Sequence, residues 1–339
     1  MKRRQQKMSK TIVGFILVDA PHSALNNAGS DAGDRTDNIV RVKSIRRGRK
    51  VYPYVSGQAL RYWWRDTLEN KFKWNVSPIV REKKIAFTHA NPIDFDDDDV
   101  FGYMRALKAK EGGTVTRISP LKTSPLISVI GQNPTQDFGV MARHEGDPVP
   151  YEHEFYSNIL KGIFSLDLDS VGVFYAKEKT GYKNMYPDLV EKAEEKNLET
   201  DEETKKWIMP EDIRVKRAQN VIEALPYLQG GAKLTSHLTD VSPKFIILTA
   251  IEGGNHIFMN IAKEVEGEAT IDLEAFEEVI KEYSDSLLTD VYIGRRKGFL
   301  DELDDGFVNL SNKDKKFKTG NIIETIENFK KIIPELMKQ

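Results

Sequence analysis

An uninterrupted run of β-branched and large apolar residues near the start of the chain constrains the fold most strongly. It extends from Thr11 to Ala20 and reads TIVGFILVDA. A run this rich in Ile, Val and Phe, with no polar alternation, is typical of a strand in the middle of a sheet. The chain is therefore expected to fold around a central strand at its N-terminal end.

Later segments carry the signals of four helices and of further strands. Residues 57–72 follow Ser56, a good N-cap residue, and another helix begins at Pro210 with acids in its first turn. Residues 273–287 and 321–337 are also expected to be helical. The other strand signals lie at residues 39–45, 50–55, 114–118, 124–130, 151–161, 163–168, 172–175, 243–250 and 256–259.

The order of these elements predicts the fold class. Read coarsely it is β-α-β-β-α-β, the ferredoxin-like plan of RNA-recognition domains, in a single α+β domain over residues 9–339. Gly48 should turn one hairpin, and the last two strand signals should form another. Three insertions are expected: an irregular one at about 73–122, an exposed loop or hairpin at about 131–150, and a charged, solvated helical or disordered one at about 177–212.

The overall composition excludes several classes of protein. The 339 residues carry a formal net charge of -2 and no cysteine, which excludes disulfides, thiolate catalysis and cysteine-ligated zinc. No apolar run approaches the ~20 residues needed to span a bilayer, and the basic start lacks an apolar signal core. We therefore expect a cytoplasmic protein that does not bind membranes.

A local excess of positive charge suggests a polyanionic partner. Residues 35–65 contain one acid, Asp37, against nine basic side chains. The basic residues are Arg35, Arg41, Lys43, Arg46, Arg47, Arg49, Lys50, Arg61 and Arg65. On a protein of almost neutral net charge, such a segment predicts a local binding site for nucleic acid. The alternative is an ordinary solvated loop.

The helix that follows this segment strengthens the first interpretation. Ser56, Gly57 and Gln58 should form its entrance, and the free N–H groups of a first helical turn bind phosphate well. Arg61 and Arg65 are four residues apart, so they share one helix face about one turn further in. The sequence therefore predicts that phosphate is held between the helix entrance and the basic segment.

Few side chains could perform catalysis. The six histidines, at positions 22, 89, 144, 153, 237 and 256, lack metal-ligand spacing, and no phosphate-binding glycine motif is present. The acids at positions 94 and 96–99 are best explained as a helix N-terminus, with a metal site as the alternative. Asp31, Asp34 and Asp37 could hold Mg²⁺ for RNA cleavage, or they could cap turns as aspartates in such loops normally do.

The order of several motifs resembles a known family. The motifs are GxxLVDAPHSALNNAGSD from residue 14, DNIVRVKSIRRGRKVYPYVSGQALRYWWR from 37, DVFGYMRA from 99, TRISPLKTSPLISV from 116 and YLQGGAKLTSHLTDVSPKFIIL from 227. Together, over about residues 11–260, they resemble the DevR-type CRISPR-associated Cas-seven backbone subunits of type I Cascade, most like subtypes I-B and I-A. The resemblance implies an RRM-like palm with inserted helical fingers at about 73–122 and a thumb at about 131–150.

The resemblance also implies which residues would contact a guide RNA. Carried over position by position, they are Lys43, Arg46, Arg47, Arg49, Lys50, Ser56, Gly57, Gln58, Arg61, Arg65, Arg143, His144, Gly230, Gly231 and Lys233. The glycine pair would turn its backbone amides toward the RNA, and Arg143 and His144 would lie in the thumb or another contacting loop. Because the loop continues as Ala232-Lys233 and lacks the SRGxG-like sequence of type III relatives, the type I assignment is favoured.

The function implied by the resemblance is structural. Such subunits bind no cofactor or metal, catalyse no reaction, form a helical oligomer along CRISPR RNA with other Cascade subunits, and let the guide pair with target DNA in antiviral defence. The alternatives are a type III-like, metal-dependent RNA endonuclease subunit that uses Asp37, and a regulator or interaction module without nucleic acid. A cooperative RNA holder is the interpretation that the residues favour most.

Overall fold

A computed structural model describes residues 8–29, 39–82, 84–108, 113–143, 145–177, 179 and 182–338. Asp31, Asp34, Asp37 and His144 lie outside these residues, so their assignments stay predictions. Across the described ranges, no helix is both long enough and apolar enough to cross a membrane.

The described residues contain eight α-helices. They are α1 (Gly57–Phe72), α2 (Asp96–Phe101), α3 (Pro187–Glu195), α4 (Glu211–Glu223), α5 (Leu234–His237), α6 (Leu273–Glu282), α7 (Asp304–Lys313) and α8 (Ile322–Met337). The helices expected at 57–72, after Pro210 and at 321–337 are confirmed. The one expected at 273–287 is confirmed as α6 with a short 3₁₀ turn after it.

The strands of the described residues are mostly short. They are β1 (Lys10–Ser23), β2 (Asn27–Gly29), β3 (Ile39–Val42), β4 (Ser44–Arg47), β5 (Lys50–Val55), β6 (Val80–Glu82), β7 (Ile85–Phe87), β8 (Tyr103–Ala106), β9 (Thr114–Arg117), β10 (Leu121–Thr123), β11 (Leu126–Ser128), β12 (Thr135–Met141), β13 (Val149–Asp167), β14 (Val173–Tyr175), β15 (Glu199–Asp201), β16 (Lys206–Ile208), β17 (Phe245–Glu252), β18 (Ala262–Val265), β19 (Glu268–Ile271), β20 (Val291–Arg295) and β21 (Phe317–Gly320).

One large mixed sheet organises the molecule, and β1 lies at its centre as predicted. Its strands run in the order β21-β20-β17-β1-β13-β11-β5-β4. β1 is antiparallel to both neighbours, so that Ile16 lies opposite Gly162 on β13 and opposite Ile246 on β17. In chain order, α1 lies between β1 and β11, and α4 lies between β13 and β17. The α+β fold class predicted from the element order is confirmed in this coarse form.

Helices cover both faces of this sheet. On one face α1, α4 and α8 bury a core in which the Trp64 ring meets Phe164 edge-on, with centroids 5.1 Å apart. On the other face Phe245 stacks on Phe307 of α7, and Phe276 of α6 is fully buried. Since neither face is open, nucleic acid cannot lie flat across the central strands in the way that bases stack on the open sheet of an RRM domain.

The insertions differ from the sequence expectation in two places. The helical character expected of residues 73–122 is wrong for the described part, whose one helix is the six-residue α2 among short strands. In the 177–212 insert, α3 packs Leu189 and Ala193 against Phe174 and Met209 in a small core of its own. The many acids of this insert suggested a solvated segment, although its apolar residues have helical spacing. Because these residues form a core, the alternative of disorder is wrong for the described residues.

The hairpin expected between residues 243–250 and 256–259 is also wrong. Strand β17 already has β1 on one side and β20 on the other, so no edge is left for a hairpin partner. Residues 256–259 form a turn in which Ile257 and Phe258 are buried under the second face of the sheet. By contrast, β4 and β5 form the hairpin predicted around Gly48.

Candidate nucleic-acid interface

The hairpin of β4 and β5, here called the basic hairpin (residues 44–50), presents the predicted cations to solvent. All seven of its residues are exposed, and Gly48 turns it with a φ of +62°. Arg46, Arg47 and Arg49 pair with no acid among the described residues, whereas Lys50 Nζ lies 2.7 Å from Glu264 Oε2. Three guanidinium groups are therefore available to a polyanion.

The basic hairpin also makes the electrostatic potential more positive at Lys161 on β13. Burial, and then the charge of Arg47, lower the pKa of Lys161 on β13. An ammonium group in such surroundings is stabilised when an anion approaches. The positive surface thus extends from the hairpin onto the sheet.

The entrance of α1 has the geometry predicted for it. Ser56 is the N-cap, and its Oγ accepts from the N–H of Ala59 at 3.3 Å. Gly57 is half-buried and Gln58 is exposed in the first turn, where helix N–H groups point outward. The N–H of Ser56 itself donates to Asn26 Oδ1 at 2.9 Å, which fixes the entrance to the segment after β1.

The glycine pair is required by protein packing. Gly230 and Gly231 have φ values of +150° and +106°. A Cβ on Gly230 would lie 2.2 Å from Cδ1 of Trp63, and one on Gly231 would lie 2.6 Å from Cδ2 of Leu25. The close backbone approach predicted here is therefore to α1 and to the segment after β1.

Residues 25 and 26 join the three predicted elements. The carbonyl of Leu25 accepts from the N–H of Ala232 at 3.0 Å, next to the glycine pair. The carbonyl of Asn26 accepts from the N–H of Lys43, which is half-buried at the base of the basic hairpin, at 2.8 Å. With the Asn26 bond to Ser56, the hairpin base, the helix entrance and the glycine loop meet at one place.

Arg61 and Arg65 do not belong to this place, and their assignment as phosphate ligands is not supported. The Arg61 guanidinium donates to the carbonyls of Leu121 and Phe101, and burial lowers its pKa to about 10. Arg65 lies over the Phe101 ring, 4.6 Å from its centroid, and 3.4 Å from a carboxylate oxygen of Asp97. Residues two apart on a helix face nearly opposite ways, so Arg61 cannot share the face of Trp63.

The remaining predicted residues are more loosely placed. Arg143 is exposed just beyond β12, and Lys233 is half-buried at the start of α5 with a φ of +56°. Strand β12 pairs with the first part of β13, and its side chains are almost all exposed, so the two strands project from the sheet. His153 on that projection approaches His237, which in turn lies beside His22, a grouping that sequence spacing gave no means of finding.

The acids of α2 form the helix N-terminus that the sequence predicted, and their carboxylates already have partners. Asp97 accepts from the N–H of Ser77, and Asp98 accepts from that of Asn91, each at 2.8 Å. Asp99 is fully buried with the guanidinium groups of Arg117 and Arg217. No group of metal-ligating residues is found in the described part of the chain, so the metal alternative has no support here.

Asp97 should make stability depend on pH. Burial, and then the charge of Asp98, raise its pKa to about 6, opposed by the Ser77 bond and Arg65. Because the native state holds this proton more tightly, its contribution to stability is full below about pH 4 and is lost as the pH rises through 6. We expect Asp97→Asn to gain about 1 kcal/mol in unfolding free energy, relative to the native chain, on going from pH 5.0 to pH 7.5.

Urea unfolding at both pH values measures this gain. Asp285→Asn, at an exposed carboxyl group, is the matched control and should show no such change. If the free energies of unfolding of Asp97→Asn and the native chain differed by the same amount at both pH values, the pKa of Asp97 would not be raised.

Comparison with known proteins places the chain in context. A family model described as the CRISPR-associated negative auto-regulator DevR/Csa2 matches residues 16–264. No curated protein sequence matches the chain significantly. A solved chain titled "CRISPR RNA-guided surveillance complex, pre-nicking" is similar with a TM-score of 0.57 and 11% identity, covering 95% of this chain and 100% of that chain.

A second solved chain, titled "CRISPR RNA-guided surveillance complex", has a TM-score of 0.45 and 13% identity and covers 89% of this chain and 99% of that one. At 11% identity, the first similarity shows a shared fold over almost the whole length of both chains.

Proposed function

The chain belongs to the DevR/Csa2 family of CRISPR-associated proteins, and from this premise we propose that it is a guide-RNA-binding backbone subunit of a type I Cascade surveillance complex. In this proposal it holds the sugar-phosphate chain of CRISPR RNA, assembles with copies of itself and with other Cascade subunits, and presents the guide for pairing with target DNA. It acts in the cytoplasm by binding alone, without a cofactor or a chemical step.

The observation that carries the proposal is the meeting of the base of the basic hairpin, the α1 entrance and the glycine loop at Leu25 and Asn26. The basic hairpin supplies three guanidinium groups that pair with no acid in the described part of the chain, and the α1 entrance supplies outward N–H groups. A holder of guides with varied sequences must contact phosphate and ribose, because base-edge contacts would restrict it to particular sequences. The guanidinium and backbone N–H groups available here contact phosphate, so they can bind RNA of any sequence.

The sheet connectivity supports an RRM-like palm. In sheet order β17-β1-β13-β11, each of two βαβ units encloses a strand of the other, which is the split arrangement of the ferredoxin-like plan. Residues 73–122 and the projecting strands of 131–150 then correspond to fingers and thumb. Because both faces of the palm are covered, the RNA would follow the edge formed by the basic hairpin and the glycine loop.

The test is to sequence the nucleic acid that copurifies with the untagged protein from cells carrying a CRISPR array. Short RNAs flanked by repeat sequence are expected, and complementary RNA added with Mg²⁺ should remain intact. A complex purified in the same way from cells without the array is the control. Recovery of protein free of RNA, or of RNA without repeat sequence, would contradict the proposal.

A further inference from the structure

Five rings from three separate elements form a cluster, here called the histidine cluster. They are His22, Tyr151, His153, Phe155 and His237. The ring of His237, at the end of α5, lies 4.5 Å from that of His22 on β1 and 6.0 Å from that of His153 on β13. The cluster therefore joins the segment after the glycine pair to the projecting strands.

The contact between His22 and His237 limits the charge that the histidine cluster can carry. Their Nδ1 atoms lie 2.8 Å apart, so one ring must donate and the other must accept. The two Nδ1 atoms cannot both carry a proton while this contact holds. Burial, and then the charge of His22, lower the pKa of His237. While the contact holds, the pair therefore carries at most one proton between these two atoms.

Two ring nitrogens of the cluster lack partners within the part of the chain that the structure describes. His153 Nδ1 and His237 Nε2 are buried and have no hydrogen-bond partner among the described residues. His153 Nε2 lies 3.3 Å from Asp137 Oδ2, which favours the proton on Nε2 and leaves Nδ1 as a bare lone pair. A buried polar atom without a partner costs about 1–3 kcal/mol. A ligand that satisfies these atoms would remove that cost.

The surroundings favour an anion as this ligand. Within the described ranges no set of three His, Asp or Glu side chains is arranged to hold a metal ion. The charged and titratable groups seen in contact with, or acting on, the three histidines among the described residues are Asp137 and Tyr151 from β12 and β13, and Lys233 from the loop before α5. Once a second histidine is protonated, cations outnumber the single carboxylate. The protonated cluster therefore suits a phosphate group.

We propose that the histidine cluster is a proton-linked phosphodiester site, at which RNA binding is accompanied by protonation of His153 on Nδ1 and by separation of the His22 and His237 rings. The proton comes from solvent, and no covalent bond is made or broken. The phosphate oxygens accept from the new N–H of His153 and from His237. This inference rests on the proposed function, and it adds that the affinity for RNA rises as the pH falls.

Binding of fluorescent oligouridine, measured by anisotropy at constant ionic strength, tests the inference. Uptake of one proton can change affinity by at most about tenfold per pH unit, so binding at pH 6.0 should be about three- to tenfold tighter than at pH 7.5. His153→Gln and His237→Gln should change by less than about twofold between the same pH values. His256→Gln, at an exposed histidine in the turn after β17, is the control and should retain the full change.

Ring-proton NMR of the unmutated protein supplies a readout that does not depend on how the variants fold. The pKa of His237 should rise, and His153 should gain its proton on Nδ1, when oligouridine is added, and neither change should occur with inorganic phosphate at the same phosphate concentration. An equal rise with inorganic phosphate would overturn the assignment to RNA. Unchanged values with RNA bound, or an affinity independent of pH, would overturn this inference alone, whereas no RNA binding at either pH would overturn the proposed function.

Discussion

Replacing Asp99 with alanine is expected to lower the free energy of unfolding by about 3–5 kcal/mol, because it leaves two buried guanidinium groups without their shared counter-ion. The Asp99 carboxylate is fully buried. It accepts from Arg217 Nη1 at 2.7 Å, from the Arg117 guanidinium, and from the N–H of Gly172 at 2.9 Å. These partners come from α4, β9 and the turn before β14, so one side chain fastens four segments together.

Neither arginine can replace the lost carboxylate by forming other contacts. Arg117 already donates to the carbonyls of Val173 and Ser170, and Arg217 already pairs with Asp96. Among the described residues, Arg117 would then have no carboxylate partner, and Arg217 would keep Asp96 alone. Since whole domains are stable by only about 5–15 kcal/mol, the loss is a large fraction of the total.

Equilibrium unfolding in urea gives the measurement, with two companion variants. Asp99→Asn keeps the shape and the acceptor oxygen but not the charge, so its loss should be smaller, about 1–3 kcal/mol. Asp285→Ala removes an exposed carboxylate and should stay within about 0.5 kcal/mol of the native chain. If Asp99→Ala unfolded like Asp285→Ala, the buried network would not hold these segments together.

Neutralising the basic hairpin is expected to weaken RNA binding by about 10- to 100-fold at physiological salt. The change is the triple variant Arg46→Ala, Arg47→Ala, Arg49→Ala. Each phosphate contact to a single strand contributes about 0.7 to the slope of log affinity against log salt, so the slope should fall by about 2. The three side chains are exposed and unpaired within the described residues, so the unfolding free energy should hardly change.

Anisotropy with oligouridine over a range of salt concentrations measures both the affinity and the slope. The matched control removes three exposed lysines from the C-terminal third of the chain: Lys281→Ala, Lys315→Ala, Lys331→Ala. It removes the same charge from elsewhere on the surface and should leave the slope almost unchanged. Equal effects of the two triple variants would mean that only net charge matters and that the hairpin is no specific site.

Local signals sufficed where a segment's own residues decide its structure. Helix α1 has the predicted bounds because Ser56 caps it and its apolar positions repeat with helical spacing, as at Leu60, Trp64 and Leu68. Residues 151–161 and 163–168 were predicted as two strands, yet they form the single β13. Gly162, which separates the two strand signals, pairs with Ile16 of β1, and a Cβ there would lie 2.4 Å from Cδ2 of Leu126 on β11.

The site was predicted only in part for the same reason. The basic hairpin and the helix entrance are contiguous in sequence, so charge and capping residues revealed them. The direction of Arg61 depends on carbonyls 40 and 60 residues away, which no local pattern encodes. The histidine cluster joins residues 22, 153 and 237, and its members look unrelated until the strands pair.

The sequence alone determined the central strand, the main helices and the position of the surplus charge, because these depend on residues within a few positions of one another. Tertiary structure alone decided which cations face solvent, why two adjacent glycines are needed, and which acids are buried. Those outcomes depend on desolvation and contact between segments far apart in the chain. The pattern of charges in the sequence does not show whether folding will place an opposite charge beside a given side chain.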